Sequence, residues 1–343
     1  MEILEKSKIK WTYVTHAVDR AVVTGLAPMS AKTDPGALVL GRVRQAGKHK
    51  EVEGVDGRRV TLFPGDVIAG VLGHRYATDQ YEGEAVARGP LGHLLGIGGV
   101  CGEVVGRNEE MPDPTVLEWV GRPTDAKGSP LNLRRFAIRP WRDVSSPRPR
   151  TLLVVGASMN AGKTTTAAQA IRHLSGQNRR VAAAKLTGTA CRKDPGMMED
   201  AGAFRVLDFT HCGVPSTAHL PAEDVLEIAR DLLAALQAAQ PEFLVYEIAD
   251  GIFQRETRIL LEDAGFRETI DAVVYAAPES PSCESGVRVL REWGYNVVAA
   301  AGLVANSPLG MAEVEKVTGL PCLNGEMILG GALMDALRQA SVA

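Results

Sequence analysis

An α/β fold with a mostly parallel sheet and helices on both faces, preceded by a β-rich barrel or sandwich, is the architecture this sequence predicts. Three observations predict it. After residue 150, the apolar runs TLLVV, VAAAK, FLVYEI, AVVYAA and NVVAAAGLVA alternate with helical stretches near 162–175, 221–239, 254–264, 283–293, 310–317 and 331–340. Such alternation implies parallel strands joined by crossover helices. Before residue 143, short strand-like runs (ALVLGRV, RRVTLF, DVIAGVL, LLGIGGV, EVVG) are punctuated by turns such as Val55-Asp56-Gly57 and Phe63-Pro64-Gly65-Asp66. This is an all-β pattern. Between the two lies DVSSPRPR, residues 143–150, where Pro147 and Pro149 discourage helix. The expected domains are therefore 1–145, for substrate or partner binding, and 151–343.

The chain has 343 residues, 45% hydrophobic and 23% charged, enough for two separate cores. Residues 1–150 carry 22 Lys and Arg against 18 Asp and Glu; residues 151–343 carry 16 against 23. The balances of +4 and −7 reproduce the net −3. No concentrated basic face is visible, so nucleic acid is not an expected partner. No run approaches the roughly 20 apolar residues that span a bilayer, and MEILEKSKIK is not a signal peptide. Cys101, Cys191, Cys212, Cys283 and Cys322 are scattered and odd in number, which points to reduced thiols in a cytoplasm.

The stretch VVGASMNAGKTTTAA, Val154 to Ala168, runs an apolar strand through a glycine turn into a helix-forming segment. The strict phosphate-loop pattern is G-x-x-x-x-G-K-[ST]. Here Ala157 takes the first glycine position, Gly156 lies one residue earlier, and Gly162-Lys163-Thr164 complete the motif. Backbone N–H groups of residues 160–164 can converge on anionic oxygens. Lys163 supplies a point charge for β- and γ-phosphates, and the Thr164 hydroxyl suits Mg²⁺. Met159, Asn160, Ala161, Gly162, Lys163, Thr164 and Thr165 are thus the nucleotide-binding candidates. The motif makes the second domain a P-loop NTPase.

Ligands of open parallel sheets bind beyond the carboxyl ends of the strands, and four further candidates sit there. Lys185 ends VAAAK and could meet charge developing on a transferring phosphoryl group; a plain surface lysine is the alternative. Glu247 ends FLVYE, where Mg²⁺ needs a carboxylate, and Asp250 competes for that role. Asp200, in MMEDAGAF, reads equally as a metal ligand or as a helix-start acid that complements the dipole. Asn306 can donate and accept along a purine edge, although Asn-Ser-Pro is also turn chemistry. The guanine-reading N-K-x-D is absent, since Ser307, Pro308 and Leu309 follow, which favours ATP.

Together these residues resemble dethiobiotin synthetase and its relatives, including the cobyrinic acid a,c-diamide synthase group, over about residues 151–325. GASMNAGKT is similar to that family's G-T-x-x-x-x-G-K-T. Lys185 falls where the family has its catalytic lysine in K-P-x-x-x-G. Asp200, in EDA, and Glu247, in VYEIADG, match its metal-binding acids. Asn306 matches the asparagine near the adenine, and MAEVEKVTGLPCL is similar to the segment ending in a T-G-x-P turn. The resemblance implies ATP and Mg²⁺ as cofactors, catalysis by Lys163 and Lys185, and a metal held by Thr164, Asp200 and Glu247. It implies phosphorylation of a carboxylate or carbamate of a small molecule (bearing a carboxylate or amine) by a ligase or kinase-like enzyme, as a homodimer. Relatives in the wider class also include switch ATPases or GTPases and metallochaperones that act on protein partners. The departures surround the substrate: Leu186 replaces the family's proline, Ile248, Ala249 and Asp250 replace its glycines, and the β domain has no counterpart. Nucleotide handling carries over; dethiobiotin formation does not.

In the first domain, GHRYATDQYEGE, Gly73 to Glu84, places Arg75 and Tyr76 after an expected strand. They suit ligand binding, against the plainer reading of a polar hairpin whose aromatics pack on the barrel. His211 and Cys212, with Cys191, lack the paired spacing of a zinc site, so Thr210 and His211 remain substrate candidates.

Overall fold

Two sheets of different character account for most of the apolar runs in the sequence. The structure, a computed structural model, describes residues 8–30, 33–139 and 147–340. Residues 143–146 of the proline-containing boundary and most of MEILEKSKIK lie outside the described residues. The described chain divides into two compact units. One draws on residues up to Arg139 together with Gly188–Lys193 and Phe209–His219; the other takes Asp194–Asp208 and the rest from residue 147 onward.

The first unit holds ten strands: β1 Ile9–Trp11, β2 Gly25–Ala27, β3 Leu38–Gln45, β4 Glu51–Glu53, β5 Arg59–Thr61, β6 Val67–Leu72, β7 Tyr81–Glu84, β8 Leu91–Leu94, β9 Val100–Arg107 and β10 Thr115–Thr124. Of the two expected architectures it is the barrel. β3 pairs with β10, β10 with β8, β8 with β9, and β9 with β6, which returns to β3. Closure of this kind removes the unpaired edges of an open sheet. Alternation sorts the side chains into two layers. Val39, Val43, Ile68, Leu72, Leu94, Cys101 and Leu117, drawn from all five ring strands, share one cluster. Leu38, Leu40, Val67, Ala69 and Val71 belong to another, with Trp11, Tyr13 and Leu133. Both turns expected from the sequence are formed: Val55-Asp56-Gly57 joins β4 to β5, and at Phe63–Asp66 the Phe63 N–H donates to Asp66 Oδ2 at 2.7 Å.

The second unit begins with β11 Arg150–Gly156 and α1 Lys163–Gly176, then β12 Val181–Lys185, α2 Lys193–Asp200, β13 Arg205–Asp208, α3 Ala222–Gln237 and β14 Phe243–Glu247. It continues through α4 Arg255–Glu262, α5 Ala264–Glu268, β15 Ala272–Ala276, α6 Ser280–Glu292, β16 Val297–Ala301, α7 Pro308–Thr318, α8 Gly325–Gly330 and α9 Ala332–Ala340. The sheet is six parallel strands in the order β13-β12-β14-β11-β15-β16. Leu152, Leu153, Val154 and Val155 of the central strand are all buried, each worth about 1.5–3 kcal/mol against exposure. Ala167, Ala168, Ala170 and Ile171 of α1 pack on one face with Val154, Val245 and Val274.

Several elements escape the periodicity of the sequence. β13 is four residues at a sheet edge, too short to show a pattern. α2 contains Pro195 and Gly196, which read as breakers, yet Pro195 lies in the first turn, where a missing N–H costs nothing. The single helix expected near 254–264 is two, because Asp263 leaves the helical region and caps Phe266 N–H at 2.7 Å.

Candidate functional site at the phosphate loop

The loop between β11 and α1 turns on two left-handed residues, Asn160 (φ 60°) and Gly162 (φ 99°). Such a sequence of conformations turns successive N–H groups toward one concavity, an anion-binding nest at a helix N-terminus. Gly162 is required twice over. Its φ disfavours a side chain, and a Cβ would stand 2.9 Å from Gly302 Cα. The loop is tied down from neighbouring strands: Ala157 N–H donates to Ala276 O at 3.0 Å and Leu303 N–H to Ala161 O at 3.2 Å. Lys163 is buried, and its Nζ donates to Ser158 O at 2.7 Å, folding the ammonium back over the loop. Burial pulls its pKa below the usual lysine range, and the negative charges of Glu247 and Asp250 oppose that pull.

Beside the loop, β12 and β14 end in register with Lys185 opposite Glu247. Parallel register sets both side chains toward the same face, that of α1. Thr164 Oγ1 donates to Glu247 Oε1 at 2.8 Å, and Lys185 Nζ stands 4.0 Å from the same oxygen. Glu247 is 2% exposed and its Oε2 is buried without a hydrogen-bond partner. Burial pushes the Glu247 carboxyl above the usual range; Lys185 lowers it, Asp194 raises it, and the Thr164 hydroxyl lowers it. Lys185 also forms an ion pair with Asp194, in the first turn of α2. The loop after Glu247 is clamped on both sides: Ala249 N–H donates to Thr187 Oγ1, and Thr257 Oγ1 donates to Ala249 O, each at 3.0 Å. Asp250 holds φ 58° there, a conformation that costs energy for a non-glycine residue and gathers at functional sites.

The fold thus brings Lys163, Thr164, Lys185 and Glu247 together. Met159, Asn160, Ala161 and Thr165 line or flank the same turn, with Asn160 and Thr165 exposed. Asn306 ends the 3-10 turn Leu303–Asn306, whose Leu303 is bonded to the loop, and is itself exposed. Asp200 closes α2 rather than starting a helix and is exposed. The acid that meets Lys185 is Asp194, six residues earlier. No sequence motif marks Asp194, Thr187 or Thr257, and each joins the site only through folding.

In the barrel unit, Arg75 is buried, with its guanidinium on Leu95 O and, at 2.7 Å, on Gln80 Oε1, while Tyr76 is exposed. Tyr81 is fully buried and donates to Pro112 O at 2.6 Å. The His211 ring lies 4.5 Å from that of His16 and tilted 54° to it, and His16 Nε2 lies 2.9 Å from Thr210 Oγ1. Cys191 Sγ lies 3.6 Å from Glu53 Oε1. All five cysteines are free thiols.

No protein-family model matches the chain, and no curated protein matches it. Solved structures do. The GDP complex of the signal recognition particle 54 kDa protein from Aeropyrum pernix K1 aligns over 61% of this chain at 20% identity and TM-score 0.38. A DUF1611 family protein from Anabaena variabilis aligns over 63% at 15% identity and TM-score 0.42. The kinase domain of the Escherichia coli tyrosine kinase ETK aligns over 45% at 11% identity and TM-score 0.33. The chain spans 53% of the first of these structures and 66% of each of the others. No helix among the described residues is long and apolar enough to cross a membrane.

Proposed function

We propose that this chain is an ATP- and Mg²⁺-dependent enzyme that transfers a phosphoryl group to a carboxylate or carbamate of a small molecule. The observation that carries the reading is the buried Lys185, in register with Glu247 beside the loop lysine. Binding a nucleotide needs one loop lysine; a second cation set 4.0 Å from the Glu247 carboxylate suits charge that develops during transfer. Lys163 and the loop N–H groups would hold the phosphates. Asn306 and the turn that carries it would meet the base.

The oxygen donors at this site fit Mg²⁺. Thr164 Oγ1 and Glu247 are hard ligands 2.8 Å apart, and Glu247 Oε2 is a buried carboxylate oxygen that nothing in the described chain satisfies. Thr164 and Glu247 would hold the ion, with Asp194 better placed than Asp200 to complete the acidic set. Bound there, Mg²⁺ would neutralise phosphate charge. Positioning and electrostatics supply the rest of the catalysis.

A second reading, a nucleotide switch or metallochaperone with a protein partner, draws support from connectivity. The segments that leave β12 and β13, Gly188–Lys193 and Phe209–His219, belong to the barrel unit, three residues after Lys185 and one after Asp208. The barrel would then serve the partner rather than the substrate. A homodimer belongs to the proposal in either form; Phe253, Leu303 and Leu309 of the P-loop unit are 65%, 48% and 79% exposed, which suits a subunit contact.

The deciding experiment is Mg²⁺-dependent phosphate release from ATP and from GTP, run alone, with the small-molecule fraction of a lysate, and with its macromolecular fraction. Stimulation of ATP turnover by small molecules supports the transfer enzyme. Stimulation by macromolecules alone supports the switch.

A further inference from the structure

His16, Asp208 and His211 bring one donor atom each to within 4.8 Å of one another. Short-range structure holds the set. Asp208 ends β13, and the 3-10 turn Phe209–Cys212 follows it directly. Three residues complete one turn of a 3-10 helix, so Asp208, at the entry, and His211 come to the same side. The turn is closed by Gly213 N–H on Thr210 O at 3.0 Å and pinned by Ile138 N–H on His211 O at 2.8 Å. His16 ends a second 3-10 turn, Tyr13–Thr15, whose three residues are buried. Its N–H donates to Tyr13 O at 2.8 Å, and its ring stacks on that of Tyr13 at 5.2 Å. Thr210 Oγ1, 2.9 Å from His16 Nε2, orients the imidazole further. His16 and the Phe209–Cys212 turn belong to the barrel unit, and Asp208 is the residue that leads into that turn.

We propose that these three side chains bind one divalent transition-metal ion of the Zn²⁺ type. Two imidazoles and one carboxylate are a recurring donor set for such ions, and three protein ligands leave a coordination position for a water or substrate oxygen. Bonds of about 2 Å hold tetrahedral donors about 3.3 Å apart, so a set already within 4.8 Å closes by small side-chain rotations. Burial supports the reading. Asp208 is 1% exposed, and a carboxylate so far from water needs a cation or hydrogen bonds. His16 and His211 are half-buried, which leaves an ion a way in. The Thr210 hydroxyl against His16 matches the outer hydrogen bond that commonly fixes a metal-binding imidazole. No paired spacing marks the set in the sequence, because His16 comes from the start of the chain. The set is distinct from Thr164 and Glu247: Asp208 is in register with Lys185, and Lys185 with Glu247, so a strand separates the two acids. Imidazole donors select Zn²⁺ over Mg²⁺, which keeps oxygen ligands. The site is therefore independent of the proposed transfer reaction.

The test uses the full chain, stripped with a chelator and returned to buffer containing Mg²⁺. Zn²⁺ is titrated in competition with a chromophoric chelator, and Co²⁺ serves as a spectroscopic probe. About one equivalent of Zn²⁺ should bind more tightly than about 1 μM. Bound Co²⁺ should show the visible bands of nitrogen and oxygen ligation without a thiolate charge-transfer band. His16→Asn, Asp208→Asn and His211→Asn should each weaken Zn²⁺ at least about tenfold, and Thr210→Val, which keeps all three ligands and removes only the outer hydrogen bond, by about tenfold. Two controls should bind as wild type: the double variant Cys191→Ser and Cys212→Ser, and His74→Asn, which breaks the other histidine pair, His74 and His219 at 5.1 Å. Circular dichroism of each metal-free variant checks its fold, and the Co²⁺ spectrum of the wild-type protein reads the ligand set without any substitution. The proposal is overturned if no stoichiometric Zn²⁺ binds, if the bound Co²⁺ shows thiolate ligation, if the folded ligand variants keep wild-type affinity, or if either control loses the ion.

Discussion

Thr164 and Glu247, 83 residues apart in sequence, are joined by a 2.8 Å hydrogen bond from Thr164 Oγ1 to Glu247 Oε1. The second oxygen of the same carboxylate is buried and unsatisfied. A structure keeps such a group at a cost in stability, because an ionised carboxylate without its full complement of partners is poorly placed away from water. The arrangement becomes sensible once a cation joins the helix start to the strand end.

Glu247→Gln should therefore separate stability from activity. Burial holds the Glu247 carboxyl above its ordinary value of 4.5. A raised acid contributes stability that is complete below the unfolded pKa and is lost as pH rises through the folded pKa. The ionised form that Mg²⁺ would need is thus the form the fold disfavours, and the amide removes that penalty. In Mg²⁺-free buffer at pH 7.5 the variant should melt no lower than wild type, while its apparent Mg²⁺ affinity in turnover falls at least about tenfold. A variant that melts lower and keeps its Mg²⁺ dependence would contradict the assignment.

Lys163→Ala and Lys185→Ala should fail in different ways. Lys163 lies on the loop itself, so its loss should remove nucleotide binding, read by titration with a fluorescent ATP analogue. Lys185 lies across β14 from the loop, beside Glu247. Its loss should leave most nucleotide affinity in place and lower turnover roughly 100-fold or more, the usual effect of deleting a group that stabilises transition-state charge. Full activity of Lys185→Ala would sink its catalytic role.

The two acids of α2 offer a clean comparison. Asp194 forms an ion pair with the buried Lys185, whereas Asp200 is exposed at the other end of the helix. Asp194→Asn should lower Mg²⁺-dependent turnover, because it changes the charge that faces Lys185. Asp200→Asn should shift stability by no more than about 0.5 kcal/mol, as ordinary surface substitutions do, and leave turnover close to wild type. The opposite ranking would restore the assignment that the family resemblance implies.

Much of the candidate site can be read in the sequence because local chemistry dictates it. A glycine turn before a lysine at a helix start makes an anion nest wherever it folds, and residues that end apolar strands in a parallel sheet gather at one edge. Those two rules are enough to find Lys163, Thr164, Lys185 and Glu247. Neither rule decides which acid of KDPGMMEDA meets Lys185. Asp194 and Asp200 sit six residues apart, nearly two helical turns, and only the direction in which α2 leaves the chain decides between them. The choice of barrel over sandwich is similar, since the parallel pairing of Val71 with Val100 and Leu72 with Cys101 closes the ring and is invisible to strand periodicity. The two short segments that join the barrel unit from the second half of the chain give no signal either, because nothing in their composition marks them as its own.

His49 gives the barrel a pH dependence of its own. The imidazole is 6% exposed, lies edge-on to the Tyr81 ring at 5.9 Å, and has a buried Nε2 with no hydrogen-bond partner. Burial, reinforced by the positive charges of Arg75 and Lys48, lowers its pKa from 6.5 to about 4, against an opposing pull from a hydrogen bond to the Leu95 backbone. The unfolded chain therefore binds a proton between pH 6.5 and 4 that the folded barrel refuses. By linkage, the stability this group contributes is complete above pH 6.5 and falls as pH drops toward 4, by as much as about 3 kcal/mol. His49→Phe keeps a ring of similar size in the same pocket and removes the titrating nitrogen. Urea unfolding at a series of pH values should show wild type losing stability across this window while the variant's curve is flatter by that amount. If both proteins lose stability in parallel, another group governs the acid limb and His49 is protonated in the folded barrel.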